Sequence, residues 1–563
     1  MASNFAGVRG ADDSRNDIIV RGNTPLGVVY RMEGIDIPNP NHFSMIGMTG
    51  GPVSILNNKV LSNSDFFTGA FPAEYGNGIA AVFDLNLRNG NNEKYEFTGQ
   101  LSTLGAEALI EGPISKTNRS SFIANYRYST IALMEILGID FGIAALPRYS
   151  DASFKLNFPG KNGSNVSVYG VGGYSDITIA NSTRDTSDIF DTQIGKDIRF
   201  GSRMGIVGAN YTKLLNDKSW IKASVYTSIN HTYTEHDTIN DLNLPTEQQV
   251  PGLHMRMKYH NWRIGTAVMF NHKFSPRLAL RTGFHFDRIN AMGIDSSRYL
   301  SPDAYRLRAD YNENTAFSRA YAQFKYKITT ELTMNAGLHT QMFFLNNSVA
   351  LEPRFGLRYA LGERHALNFG YGLHHQLQPM HLYFQQMPNA RNGVFAQQDV
   401  DFTRSHHLVT GWDWRIGKQL RAKTEVYWQG LSRVPVEVTP SAFSMINLGA
   451  NFILIRPDTL VVNEGTGSNY GAEFTLEKFF SKGYFFLATA SLYESKYAGS
   501  DGVERDTDFN SNYGLNLLAG KEFPLGKKKN TRLGLSANFT YSGGRRFSPI
   551  DWDESRRQED YIG

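Results

Sequence analysis

The chain has 563 residues, no cysteine, 13% aromatic and 20% charged residues, and a formal net charge of +4. The missing cysteines exclude a disulfide framework, a cysteine-ligated zinc site, an iron–sulfur cluster and a thiol nucleophile, and the balanced charge gives no case for a nucleic-acid partner. A mean hydropathy of -0.36 speaks against a helical membrane protein but not against a membrane barrel, where only alternate residues meet lipid.

The leading residues carry Arg9, Asp12, Asp13 and Arg15, which interrupt any signal-peptide core. Residues 1–92 are rich in Gly, Asn and Pro, with short apolar runs at Ile18–Val20, Val28–Ile37 and Ala80–Leu85, and form a first, small domain. The longest later apolar stretch, Ile131–Leu146, contains Glu135 and Asp140 and suits a short amphipathic helix in a loop.

From about Tyr95 the apolar period is two. Phe284 and Phe286 alternate with His285 and Asp287, Leu367 and Phe369 with Asn368 and Gly370, and Val426 and Trp428 with Glu425 and Tyr427. Short turns, such as Pro159–Ser164, Asn216–Lys218, Gly362–Arg364, Ser481–Gly483 and Gly526–Asn530, alternate with long polar connections. The long ones include Ala180–Gly195, Ile239–Leu253, Ala291–Asn312, Gln378–Val400, Thr439–Ser468 and Tyr497–Asn510. Sorting of loop lengths onto two rims predicts a transmembrane antiparallel β-barrel over 93–563. About nineteen strands are counted, against about 22 in the nearest class of plugged barrel, so both ends are expected to be truncated. Aromatic residues near strand ends (Trp220, Trp262, Trp412, Trp414, Trp428, Phe479, Phe480, Tyr484) suit an interfacial girdle.

The first domain resembles the plug of TonB-dependent outer-membrane receptors, on Ile18-Ile19-Val20-Arg21-Gly22, Tyr30–Ile37 and Phe67–Gly76. In the barrel, Leu351-Glu352-Pro353-Arg354, Tyr470-Gly471-Ala472-Glu473 and Gly543-Gly544-Arg545-Arg546 resemble the Bacteroidetes-type members. The resemblance implies an all-β barrel with a small α+β plug in its lumen, located in the outer membrane of a Gram-negative bacterium. It implies energy-coupled import of a scarce solute (siderophore, cobalamin, glycan or peptide), with the TonB–ExbB–ExbD complex, outer-membrane lipids and a surface lipoprotein as partners. The energy-coupling box itself is not in the sequence. A passive plugged channel and a ligand-docking surface protein are the alternatives.

Glu425 and Glu473 fall on adjacent strands at lumen-facing positions, and the resemblance implies pairing with plug arginines, for which Arg21 and Arg88 are the candidates. Asn41, His42 and Phe43 on a plug loop, with His374, His375 and His381 near one long connection, are the ligand-binding candidates. His406 and His407 stand at the other end of that connection. Asp501, Glu504, Asp506 and Asp508 share a loop, read as solvated rather than calcium-binding because the EF-hand spacing is missing. No His-Glu-x-x-His, P-loop or nucleophile elbow occurs, so neither an enzyme nor a cofactor is expected.

Overall fold

The computed structural model describes residues 2–11, 15–48, 50–102, 105–130, 147–179, 196–239, 251–297, 306–386, 397–450, 459–525 and 531–546. Among the described residues nineteen long strands, from Glu96–Ser102 to Thr531–Ser542, follow one another in sheet order as an antiparallel meander that forms a barrel. A three-residue strand, Glu504–Asp506, makes the twentieth. Among the described residues no helix is long and apolar enough to cross a membrane; strands do the crossing.

The period-two pattern sorts side chains as lipid and lumen demand. Phe284 and Phe286 point outward, exposed by 49% and 37%, whereas His285 and Asp287 are buried toward the lumen at 7% and 0%. Val426, Trp428, Leu367, Phe369, Trp412, Phe479, Phe480 and Tyr484 likewise lie on the outer surface. At the hairpin after Val461–Ser481, Lys482 and Gly483 take positive φ (52° and 78°), the tight-turn geometry that matches strand twist.

Several connections are shorter than the sequence suggests. Strands Leu278–Ser297, Arg306–Lys327 and Val461–Ser481 run into the stretches assigned to the loops Ala291–Asn312 and Thr439–Ser468. Above the hydrocarbon zone both sheet faces are hydrated, so polar composition there does not distinguish strand from loop. Phe344–Asn347 is a tight turn on the same rim. The proposed helix Ile131–Leu146, the connection Ala180–Gly195 and the turn Gly526–Asn530 lie outside the described residues. At the seam, Glu96–Ser102 and Thr531–Ser542 are exposed along nearly their whole length. Among the described residues each has register partners on one neighbour only.

The N-terminal residues build a four-stranded sheet in the order Ile35–Asp36, Val28–Met32, Ala81–Leu85, Asp65–Phe67, with the central pair parallel. Two small hairpins join it, Val8–Gly10 with Ile18–Val20 and Asn41–His42 with Val53–Ser54. Among the described residues its helical part is two 3-10 turns, Ala2–Asn4 and Pro25–Gly27, rather than an α-helix. This segment touches inward-facing residues all round the ring. Met32, Ile35, Ile37, Leu85 and Leu87 share one apolar cluster with Leu109, Ile123, Tyr169, Val171 and Met204 of the wall. The contact is therefore not wholly wet, as a polar, readily exchanged interface would require. A second cluster joins wall residues Tyr311, Phe317 and Phe343 to Leu382, Tyr383, Phe384 and Phe402 of a connection folded into the mouth.

Candidate functional site

Arg21 sits at a tight bend, φ 55°, followed by Gly22 at φ 71°. That bend turns its guanidinium onto the wall, where Nε and Nη2 donate to the two oxygens of Glu473 at 2.8 and 2.7 Å. Glu425 is the direct cross-strand partner of Glu473, and its Oε2 lies 3.5 Å from Arg21. Two adjacent carboxylates would repel. Arg21 lies against both, and the Lys423 ammonium, 2.8 Å from Glu425, supplies a further cation. Burial works against the Arg21 charge, but the Glu473 carboxylate outweighs it, so the pKa stands above the ordinary arginine value. Gly7 closes the site from the plug side: its carbonyl accepts from Arg21 N at 2.7 Å, and a Cβ there would come within 1.9 Å of Glu473 Oε1.

Arg88 does not reach Glu425 or Glu473. It follows the last plug strand where the chain enters the barrel, so the nearest carboxylate is on the second barrel strand: Nη1 and Nη2 donate to Glu111 at 2.7 and 2.6 Å. The Glu111 bonds raise the Arg88 pKa.

Several further contacts have no counterpart in the sequence reading. Lys155 donates to Glu33 at 2.8 Å, Arg281 to Glu74 at 2.6 Å, and Lys59 to Glu107 at 3.0 Å. Arg319 bridges plug Asp36 and wall Asp287. Burial raises the Asp36 pKa but Arg319 and Arg31 overcome it, leaving a net depression. The signal was available: Arg281, Asp287 and Arg319 occupy inward positions of the period-two strands, where an unpaired charge would be costly.

The ligand candidates are largely engaged with protein. His42 is fully buried with Nε2 3.0 Å from Asp151, and burial lowers its pKa. Asn41 donates to Asn39 at 2.8 Å, and Phe43 N donates to Ser175 Oγ at 2.9 Å. His374 packs against Phe71 and His407 with tilted rings, 4.1 and 4.2 Å between ring centres, beside Arg354. His375 meets Glu352 at 3.2 Å, and His406 meets Tyr371 at 3.1 Å. His407 Nδ1 accepts from Ala70 N and its Nε2 donates to Ile79 O, so one tautomer serves two plug backbone groups. Among the described residues no group of three or more His, Asp or Glu is placed to hold a metal. In the acidic loop, Asp501 pairs with Arg505, Glu504 with Lys496 and Asp506 with Arg546.

His381 is placed differently. It lines a cavity of about 300 Å³ with plug residues Pro38, Asn39 and Met45 and wall residues Asn230, Asn261 and Arg263. Burial pulls the His381 pKa down to about 4, so the imidazole is neutral at pH 7.

The family model described as TonB dependent receptor-like, beta-barrel, matches residues 140–562. The chain belongs to the TonB-dependent receptors. Solved structures of similar fold include the outer-membrane transporter YddB of Escherichia coli, at 12% identity and TM-score 0.63 over 96% of this chain and 86% of that one. The siderophore receptor PirA of Acinetobacter baumannii gives 12% and 0.65 over 97% and 83%. A mutant of the ferric enterobactin receptor PfeA of Pseudomonas aeruginosa, in complex with enterobactin, gives 12% and 0.64 over 96% and 83%. These likenesses concern the fold. No curated protein sequence matches the chain. As a TonB-dependent receptor the barrel lies in the Gram-negative outer membrane, in a family of transporters and receptors.

Proposed function

We propose that this TonB-dependent receptor imports a scarce solute by energy-coupled displacement of a plug formed by residues 1–92 from a barrel formed by residues 93–563. The TonB–ExbB–ExbD complex supplies the force. One observation carries the reading: a separately folded segment reaches the inner wall on many sides through ion pairs, Arg21–Glu473, Arg88–Glu111, Lys155–Glu33 and Arg281–Glu74 among them. A barrel this wide with nothing in it would be an open aqueous channel. A stopper held by discrete charged contacts seals it yet leaves as a unit once those contacts are hydrated.

The test works without the solute being identified first. Cells with and without the gene, each with and without a proton ionophore, are compared for the solutes they remove from a rich medium. Import by this mechanism requires a set of solutes whose removal depends on both the gene and the proton gradient. Removal that survives the ionophore assigns a passive channel. Surface binding without removal assigns a docking protein.

A further inference from the structure

The cavity behind His381 holds polar groups that no described residue satisfies. On the wall, Asn230 stands directly opposite Asn261, and Ser228 directly opposite Arg263, on neighbouring antiparallel strands. All four are at lumen-facing positions, so they form a square patch with side chains about 5 Å apart across the strands. The Oδ1 atoms of Asn230 and Asn261 are buried without a hydrogen-bond partner among the described residues. So is Nδ1 of His381, a side chain more than nine-tenths buried that faces the patch from the connection above. Arg263 has no carboxylate in salt-bridge contact among the described residues; it adds to the field that holds Asp36 ionised, but Asp36 is contacted directly by Arg31 and Arg319.

Buried polar atoms left alone are costly, and an active site or binding site is where that cost is recovered by a ligand. The space equals roughly ten waters at ~30 Å³ each, enough for a small organic group but not for a large chelate. A guanidinium with no carboxylate in contact asks for a single negative charge, and planar carboxylate suits its fork. The two amide oxygens, and the imidazole in its Nε2–H tautomer, ask for N–H or O–H donors beside that charge; an amide turned over, or the other tautomer, is met by the carboxylate instead.

We propose that this cavity binds a small carboxylate with hydrogen-bond donors next to the carboxyl group, the chemistry shared by a peptide C-terminus and a uronic acid. Arg263 takes the carboxylate, and Asn230, Asn261 and His381 take the donors. The inference rests on the importer reading for its purpose but not for its measurement.

Calorimetric titration of the purified full chain in detergent tests it with N-acetylglycylglycine and glucuronate as probes, each against its neutral analogue, N-acetylglycylglycinamide and glucose. At least one acid binds, and its neutral analogue binds about tenfold more weakly or worse. Arg263→Gln costs the acid about tenfold, Asn230→Ala with Asn261→Ala about three- to tenfold, and Arg277→Gln at an exposed turn nothing. Which acid binds separates a peptide terminus from a sugar acid. The proposal is overturned if neither acid exceeds its neutral analogue, or if Arg263→Gln binds the acid as the wild type does while protease resistance shows it folded. Carboxylate binding without energised uptake removes the importer reading and keeps the site; energised uptake without carboxylate binding does the reverse.

Discussion

Two regions of the plug–wall contact use the same pairing chemistry in different surroundings. At mid-depth, the Arg21 and Glu473 side chains are exposed by 1% and 4%, and Arg319 and Asp36 by 4% and 11%. Toward the short-turn rim, Arg88 keeps 33% of its surface. Geometry alone does not rank them, because Arg88–Glu111 is as short and as bidentate as Arg21–Glu473. Water does. An exposed pair gains about 0–1 kcal/mol, whereas removing one side of a buried pair leaves a charge whose desolvation is uncompensated. On the proposed importer reading, the mid-depth pairs act as the latch, and the Arg88 pair guides the segment into register.

That contrast can be broken at its strong end first. Glu425→Gln with Glu473→Gln leaves Arg21 buried without a counter-charge and is expected to cost about 3–5 kcal/mol of plug docking. Arg319→Met, which takes the guanidinium from Asp287 and leaves Asp36 with Arg31, is expected to cost somewhat less. Hydrogen exchange at residues 18–24 and 35–36 reads both, as protection lost locally while the barrel strands keep theirs. Gly7→Ala comes next. At φ +72° the new methyl costs about 1–2 kcal/mol by backbone strain and also displaces Glu473. The same exchange window should open without any charge being changed. Arg88→Gln sharpens the other end: a loss within about 1 kcal/mol, shrinking further in high salt, marks the rim pair as a guide. A loss comparable to the Glu425/Glu473 pair would erase the distinction.

The smallest effect concerns pH. His42 is buried with a lowered pKa, so the undocked segment takes up a proton more readily than the docked one. Its contribution is whole above about pH 6.5, the free histidine value, and fades as pH falls toward the lowered one. Plug leak should therefore rise modestly from pH 7 to pH 5.5, and His42→Gln should flatten that part of the profile.

The barrel was legible because lipid imposes a period of two on each strand, and the Glu425–Glu473 juxtaposition followed from that period and from the two strands being consecutive in an antiparallel meander. Lumen contacts were less legible. They join residues hundreds of positions apart, as Arg319 joins Asp36, and no local pattern encodes which inward charge meets which plug charge. Arg88 shows the difficulty: its type was informative, but its partner depended on where the chain enters the ring. The histidines misdirect for a related reason. His374 and His407 flank a long connection in sequence, yet strand register draws them down into the wall against Phe71.

Ion conductance across a planar bilayer addresses the stopper most directly, with the purified wild type beside the Glu425→Gln, Glu473→Gln double variant. A closed wild type and a variant that opens in large, long-lived steps is the outcome expected of a plug latched at Arg21. A wild type already open, or a variant as closed as its parent with hydrogen exchange at residues 18–24 unchanged, would contradict it.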